Sequence, residues 1–93
     1  MRRDYRRFYE LRDKAQEKLD SHRPLEEALT NAVCEIVMMD EDEVPKYKWS
    51  SIQAILDSCR THEAEGKEGI FRASINNMTY EKKKSLKRQI ELL

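Results

Sequence analysis

Two cysteines and two histidines are the side chains in this sequence best suited to metal binding or nucleophilic chemistry. A structural zinc site needs four such ligands in two closely spaced pairs, and Cys34, Cys59, His22 and His62 do not form two such pairs. No glycine-rich phosphate-binding loop and no nucleophile motif accompanies them. We therefore expect buried free thiols, histidines that cap helices or lie at the surface, no metal and no cofactor.

Carboxylates are plentiful, with 18 Asp and Glu residues in a chain of 93. General acid–base catalysis needs one of them in a concave pocket that shifts its pKa. A chain of this length makes one domain with a modest core, in which such pockets are rare. We therefore predict a single helical domain over residues 1–93 that is not an enzyme.

The elements that position these side chains are expected to be helices. Good helix formers dominate, while Gly and Pro number only two each, so the composition predicts an all-α bundle. Apolar spacing and turn residues predict about five helices, with a middle that resembles a helix-turn-helix and a connector over 64–69. The predicted helices cover 4–20, Pro24 to Val37, Pro45 to Cys59, 70–78, and a last one after Thr79 as N-cap.

The net charge is zero, yet charges of opposite sign are segregated along the chain. Between Pro24 and Pro45 there are seven acids and no Lys or Arg. Residues 1–23 carry eight bases and five acids, and residues 82–93 carry five bases and one acid. Such segments attract some partners and repel others even when the total charge vanishes. The acidic segment therefore predicts a basic partner.

The acidic segment consists of an apolar helical stripe and an acidic exit. Most of the stripe from Leu25 to Val37 is expected to be core, whereas the exit from Ile36 to Glu43 combines apolar and acidic side chains. Negative charge at a helix C-terminus opposes the helix dipole. Two interpretations of the acidic run stay open: a solvated loop, or a binding role in which apolar anchors give affinity while the acids select the partner. The acids are Asp40, Glu41, Asp42 and Glu43.

The N-terminal segment has no pattern of a secretory signal, and the longest aliphatic run is far shorter than a membrane span. We expect a cytoplasmic protein that does not associate with a membrane.

A pattern of residues in a fixed order extends beyond the acidic exit. It comprises Ile36-Val37, Val44, Ala54, Leu56, Thr61-His62-Glu63, Phe71-Arg72, Thr79, Glu81, Lys83, Lys84 and Leu86. This pattern, over residues 30–88, resembles the AsiA family of anti-sigma factors from T-even phages. On that resemblance, residues 1–22 are an additional basic helix and residues 23–93 are the AsiA-like region.

The resemblance implies a small all-α phage protein that acts in the cytoplasm of a bacterial host. Such a protein binds region 4 of the primary sigma factor of RNA polymerase, blocks recognition of the −35 promoter element, and can form a homodimer when unbound. By this resemblance, the predicted partner-binding face includes Ile36, Val37 and Met39. We extend the predicted face along the same helix to Leu29 and Val33.

Two other functions remain open at this stage. A small helix-turn-helix regulator would read DNA with its third and fourth helices, and its basic ends would contact phosphate. Those basic residues are Arg2, Arg3, Arg6, Arg7, Lys82, Lys83 and Lys84. A phage inhibitor of another host protein would use the same combination of apolar and acidic groups on a different target.

Overall fold

The structure is a computed structural model that describes residues 4–61 and 67–93. The described residues form five α-helices, one short 3-10 helix and no strand, so the prediction of an all-α bundle of about five helices is confirmed. The helices are α1 (Arg6–Leu19), α2 (Leu25–Ile36), α3 (Lys46–Ser58), α4 (Lys67–Asn76) and α5 (Tyr80–Glu91), with the 3-10 helix at Glu41–Glu43.

Helix α2 lies at the centre and packs against all four other α-helices. Its apolar side chains are buried along its length because neighbours cover it from several directions, and α1 makes the most extensive contact. The hydroxyl of buried Thr30 donates a hydrogen bond to the carbonyl of Glu26 at 2.7 Å, so this polar group is satisfied inside the core.

The predicted helix starts agree closely with the structure. Pro24 and Pro45 are the N-cap residues of α2 and α3, so Pro24 lies one position ahead of the first-turn place predicted for it. Thr79 caps α5 as predicted, since its Oγ1 accepts a hydrogen bond from the backbone N–H of Lys82 at 3.2 Å. This bond satisfies one of the backbone donors left without a partner at a helix N-terminus.

Helix α4 differs from the prediction at its start. It begins at Lys67, so the last part of the predicted connector 64–69 is helical, and residues 64–66 lie outside the described residues. Gly69 lies inside this helix, and its cost of up to ~1 kcal/mol is small beside the burial of Phe71 and Ile75.

The helix-turn-helix-like middle that the sequence predicts falls partly on residues 62–66, which lie outside the described residues. Helix α4 packs chiefly against α2 rather than against α3. The Thr61 N–H, after the end of α3, donates a hydrogen bond to the buried Ser74 hydroxyl of α4 at 3.0 Å.

In the part of the chain that the structure describes, no helix has the combined length and apolar character that a bilayer span requires.

The central position of α2 leads to a first prediction about stability. Ile36→Ala should lower the free energy of unfolding by about 2–5 kcal/mol, because Ile36 is fully buried and its truncation leaves a cavity. Val37→Ala, at the next residue, should change it by less than ~0.5 kcal/mol, because Val37 is exposed. Urea denaturation followed by circular dichroism measures the free energy of unfolding of both variants. Equal losses of stability in Ile36→Ala and Val37→Ala would contradict this description of the core.

Candidate protein-binding surface

Most of the apolar residues predicted to contact a partner lie in the core instead. Leu29, Val33 and Ile36 have no exposed surface, and Met39 is 5% exposed. The prediction that these four residues bind a partner is therefore wrong for this fold. The physical reason is that α2 is surrounded by other helices, so the whole apolar stripe packs internally.

The chain leaves the core immediately after α2. The N–H of Val37 still donates to the Val33 carbonyl at 2.9 Å, and the N–H of Met39 donates to the Ile36 carbonyl at 3.0 Å. This turn brings the Met39 side chain inward and leaves Val37 and Met38 exposed by 39% and 51%. Two adjacent apolar side chains therefore face solvent at the end of the central helix.

Three exposed acids adjoin this apolar pair. Asp40 follows directly after the turn, and Glu41 and Asp42 belong to the 3-10 helix. We call the surface formed by Val37, Met38, Asp40, Glu41 and Asp42 the acidic corner. It combines apolar and acidic groups as the sequence predicted, but on a smaller area.

A single arginine fixes the acidic corner to the N-terminal helix. Arg7 Nη1 donates to Asp40 Oδ2 at 3.3 Å and to Glu43 Oε1 at 3.2 Å, so it bridges the two ends of the acidic run. Its side chain is 47% exposed, and a pair of this kind contributes only ~0–1 kcal/mol. Within the described residues, Glu41 and Asp42 form no ion pair, so their charge remains available to a partner.

Two of the cations predicted to contact nucleic acid form ion pairs within the fold instead. Arg7 binds the acidic run, and Lys83 Nζ lies 2.8 Å from Glu26 Oε1 with only 12% of its side chain exposed. Their prediction as phosphate contacts does not fit the structure. The physical reason is that each cation neutralises an acid brought near it by packing of distant segments.

The other predicted phosphate contacts have varied surroundings. Arg6 is exposed and paired with Asp4 at 2.8 Å, which also lowers the pKa of Asp4. Lys82 and Lys84 are exposed, while Arg2 and Arg3 lie outside the described residues. Arg7 lies beside the chain segment that follows α2, and Lys83 lies beside the first turn of α2. About 18 Å of helix separates these ends, so Arg7 and Lys83 lie at opposite ends of α2.

The residues considered first for chemistry are not assembled into a site. Among the described residues, no group of three or more His, Cys, Asp and Glu side chains is placed to hold a metal ion. Neither Cys34 nor Cys59 forms a disulfide. Cys59 is buried, and burial raises the pKa of its thiol to about 12, which makes it a poor nucleophile. Cys34 is only partly buried, contrary to prediction, and His62 lies outside the described residues.

Met38 is a surface residue that the sequence prediction omitted. It follows Leu29 by nine residues, which places it on the opposite side of a continued α-helix from the buried stripe. This angular offset from the buried stripe could have identified Met38 as a surface residue from the sequence. No comparable signal distinguished Val37 from Ile36, because both continue the apolar pattern.

No protein-family model matches the chain, and neither the curated proteins nor the solved structures include a significant match to it.

The contact between Lys83 and Glu26 predicts a specific pH dependence. Hydrogen bonding to Lys83 lowers the pKa of Glu26 in the folded state below its ordinary value of 4.5. Because the folded pKa is the lower one, this contact stabilises the protein fully above pH 4.5 and ceases to do so as the pH falls through the folded pKa. Lys83→Met should therefore reduce stability at neutral pH more than in acid.

Urea unfolding of the wild type and of Lys83→Met, from about pH 7 to about pH 3, tests this dependence. Lys82→Met is the matched control, because Lys82 is an exposed neighbour that forms no ion pair with any described residue. If Lys83→Met lowers the free energy of unfolding by the same amount over the whole pH range, the titration of Glu26 does not account for the loss of stability.

Proposed function

We propose that this protein is a non-enzymatic, phage-type transcription regulator that binds region 4 of the primary sigma factor and blocks recognition of the −35 promoter element. The observation that carries the proposal is the acidic corner, where exposed Val37 and Met38 adjoin the carboxylates of Glu41 and Asp42. The corner is small and directly follows α2, to which the Val37 and Met39 N–H groups are hydrogen-bonded.

Charge complementarity supports a DNA-reading domain as the target. A surface that binds the phosphates of a promoter must be basic, and a protein whose acidic surface occupies it competes directly with DNA. Glu41 and Asp42 would steer the approach to that surface, and the apolar pair would slow dissociation. Exposed acid pairs alone contribute only ~0–1 kcal/mol each, so the apolar contact is needed for affinity.

The ordered residue pattern shared with the AsiA family supports the same target, although the contact is smaller than that resemblance implies. Of the positions carried over from the family, only Val37 is exposed, because Ile36 and Met39 are buried. We therefore assign the binding face to the acidic corner and not to the stripe on α2. A bacterial host cytoplasm is the compartment in which this activity would operate.

The two alternative functions receive different support. Direct DNA binding is disfavoured because Arg7 and Lys83 are paired with acids and lie at opposite ends of α2. Inhibition of another host protein uses the same corner, and only the identity of the bound partner separates it from sigma binding.

The steering role of the acids leads to a testable prediction. Glu41→Lys combined with Asp42→Lys should slow association with sigma region 4 by about tenfold at low salt and flatten its salt dependence, since electrostatic attraction sets the association rate. Stopped-flow fluorescence of labelled region 4 measures the rate. Glu17→Lys with Asp57→Lys is the control, because it makes the same charge change at exposed acids on α1 and α3.

Failure of the folded wild type to bind region 4 at micromolar concentration, or to displace −35 DNA from it, would refute the proposed target. Equal slowing by the corner variant and its control would refute the assignment of the contact to the corner.

The apolar pair should control dissociation instead. Met38→Ala should raise the dissociation rate by about tenfold and leave association nearly unchanged, because an apolar anchor acts after docking. Leu92→Ala is a suitable control, since Leu92 is a highly exposed apolar residue after α5. Surface plasmon resonance with immobilised region 4 measures both rates, and an unchanged dissociation rate for Met38→Ala would exclude it as an anchor.

A further inference from the structure

An open groove of about 820 Å³ lies between the turn that joins α1 to α2 and one face of α5. Its apolar base comes from Leu19, Leu25 and Ala28, which are buried or half-buried. Four cations surround this base, contributed by the turn and by α5. They are Arg23, Lys84, Lys87 and Arg88.

The cations gather here because of helical spacing. Lys84, Lys87 and Arg88 follow the i, i+3, i+4 pattern and therefore share one side of α5. None of these three forms an ion pair with a described residue, whereas Arg23 is paired with Glu27 at 2.7 Å. The groove thus presents three cations that form no ion pair with a described residue, and together with Arg23 they outnumber the two acids of the lining, Glu81 and Glu91.

This composition selects among anionic occupants. A nucleic-acid backbone would meet the cations but would leave the apolar base without an apolar partner. A protein segment with carboxylates next to exposed apolar side chains satisfies both parts of the lining. The acidic corner of this same chain is such a segment.

We propose that this groove binds the acidic corner of a second copy of the chain, so that the protein associates with itself head to tail. Glu41 and Asp42 of one copy face Lys84 and Arg88 of the next, and Met38 packs on the apolar base. The two surfaces adjoin opposite ends of α2, about 18 Å apart, so one molecule cannot satisfy its own groove. The zero net charge leaves no overall repulsion between copies.

The contact is heterologous, because two different surfaces meet. Such contacts extend into rings or open chains and do not close as a symmetric dimer. Self-association should therefore grow with concentration and weaken with added salt. It does not depend on the target proposed above, and it is measured without any other protein.

The experiment uses the full chain and three variants. The corner variant carries Glu41→Lys with Asp42→Lys, and the groove variant carries Lys84→Glu with Arg88→Glu. The exchange variant carries all four substitutions, so its net charge is again zero. All four positions are exposed. Circular dichroism checks folding, and Lys84→Gln with Arg88→Gln replaces the groove variant if that variant unfolds.

Sedimentation equilibrium over a concentration series at low and at high salt gives the association constant. Wild type should associate at low salt, and each double variant alone should associate at least about tenfold more weakly, because attraction is replaced by repulsion. An equimolar mixture of the two double variants should associate again with copies of the two variants alternating, because the reversed corner of one matches the reversed groove of the other and the remaining native corner and native groove also match. The exchange variant should associate as the wild type does.

Two outcomes would overturn the proposal. One is a wild type that stays monomeric at low salt up to millimolar concentration. The other is an exchange variant that remains monomeric while the wild type associates, which would indicate a symmetric contact or one made elsewhere on the surface.

Discussion

The burial of α2 is the constraint on which the rest of this structure depends. Four helices pack around it, and its apolar face together with the small residues Ala28 and Ala32 is enclosed by them. A helix of 12 residues is too short to be stable in water by itself. Its stability therefore comes from these contacts, and the neighbouring helices depend on the same contacts for their own placement.

This constraint also decides where the molecule can interact. A side chain that fills the core cannot at the same time contact a partner, so the two surfaces proposed for binding lie at the ends of α2 and not along its middle. The acidic corner follows its last turn, and the basic groove borders its first turn. The segregation of charge along the sequence thus becomes a segregation of charge in space, with the central helix holding the two regions apart.

Local signals predicted much of the fold. Prolines before α2 and α3, the Thr79 cap and the spacing of apolar residues depend on neighbours within a few positions, and all of them are visible in the sequence. The division of the apolar stripe between core and surface depends on how many helices surround α2, which local spacing does not encode. The start of α4 was missed for a similar reason, because burial of Phe71 and Ile75 outweighs the local cost of Gly69.

The candidate site was therefore predicted only in part. Its acidic residues were found from composition, but the contacts that organise them join residues far apart in the sequence. Arg7 reaches Asp40 across 33 positions, and Lys83 reaches Glu26 across 57. Pairs at such separations form only after the chain has folded, and cations that bind acids in this way looked like phosphate contacts in the sequence.

Because the acidic corner begins where the core ends, the proposed binding surface and the core are formed by different residues. Residues 37–42, apart from buried Met39, can change in size or charge with little effect on packing. A lineage that carries this fold can thus acquire a new target through a few substitutions in one short segment. The same separation makes the segment a suitable place to graft another binding sequence onto an intact helical scaffold.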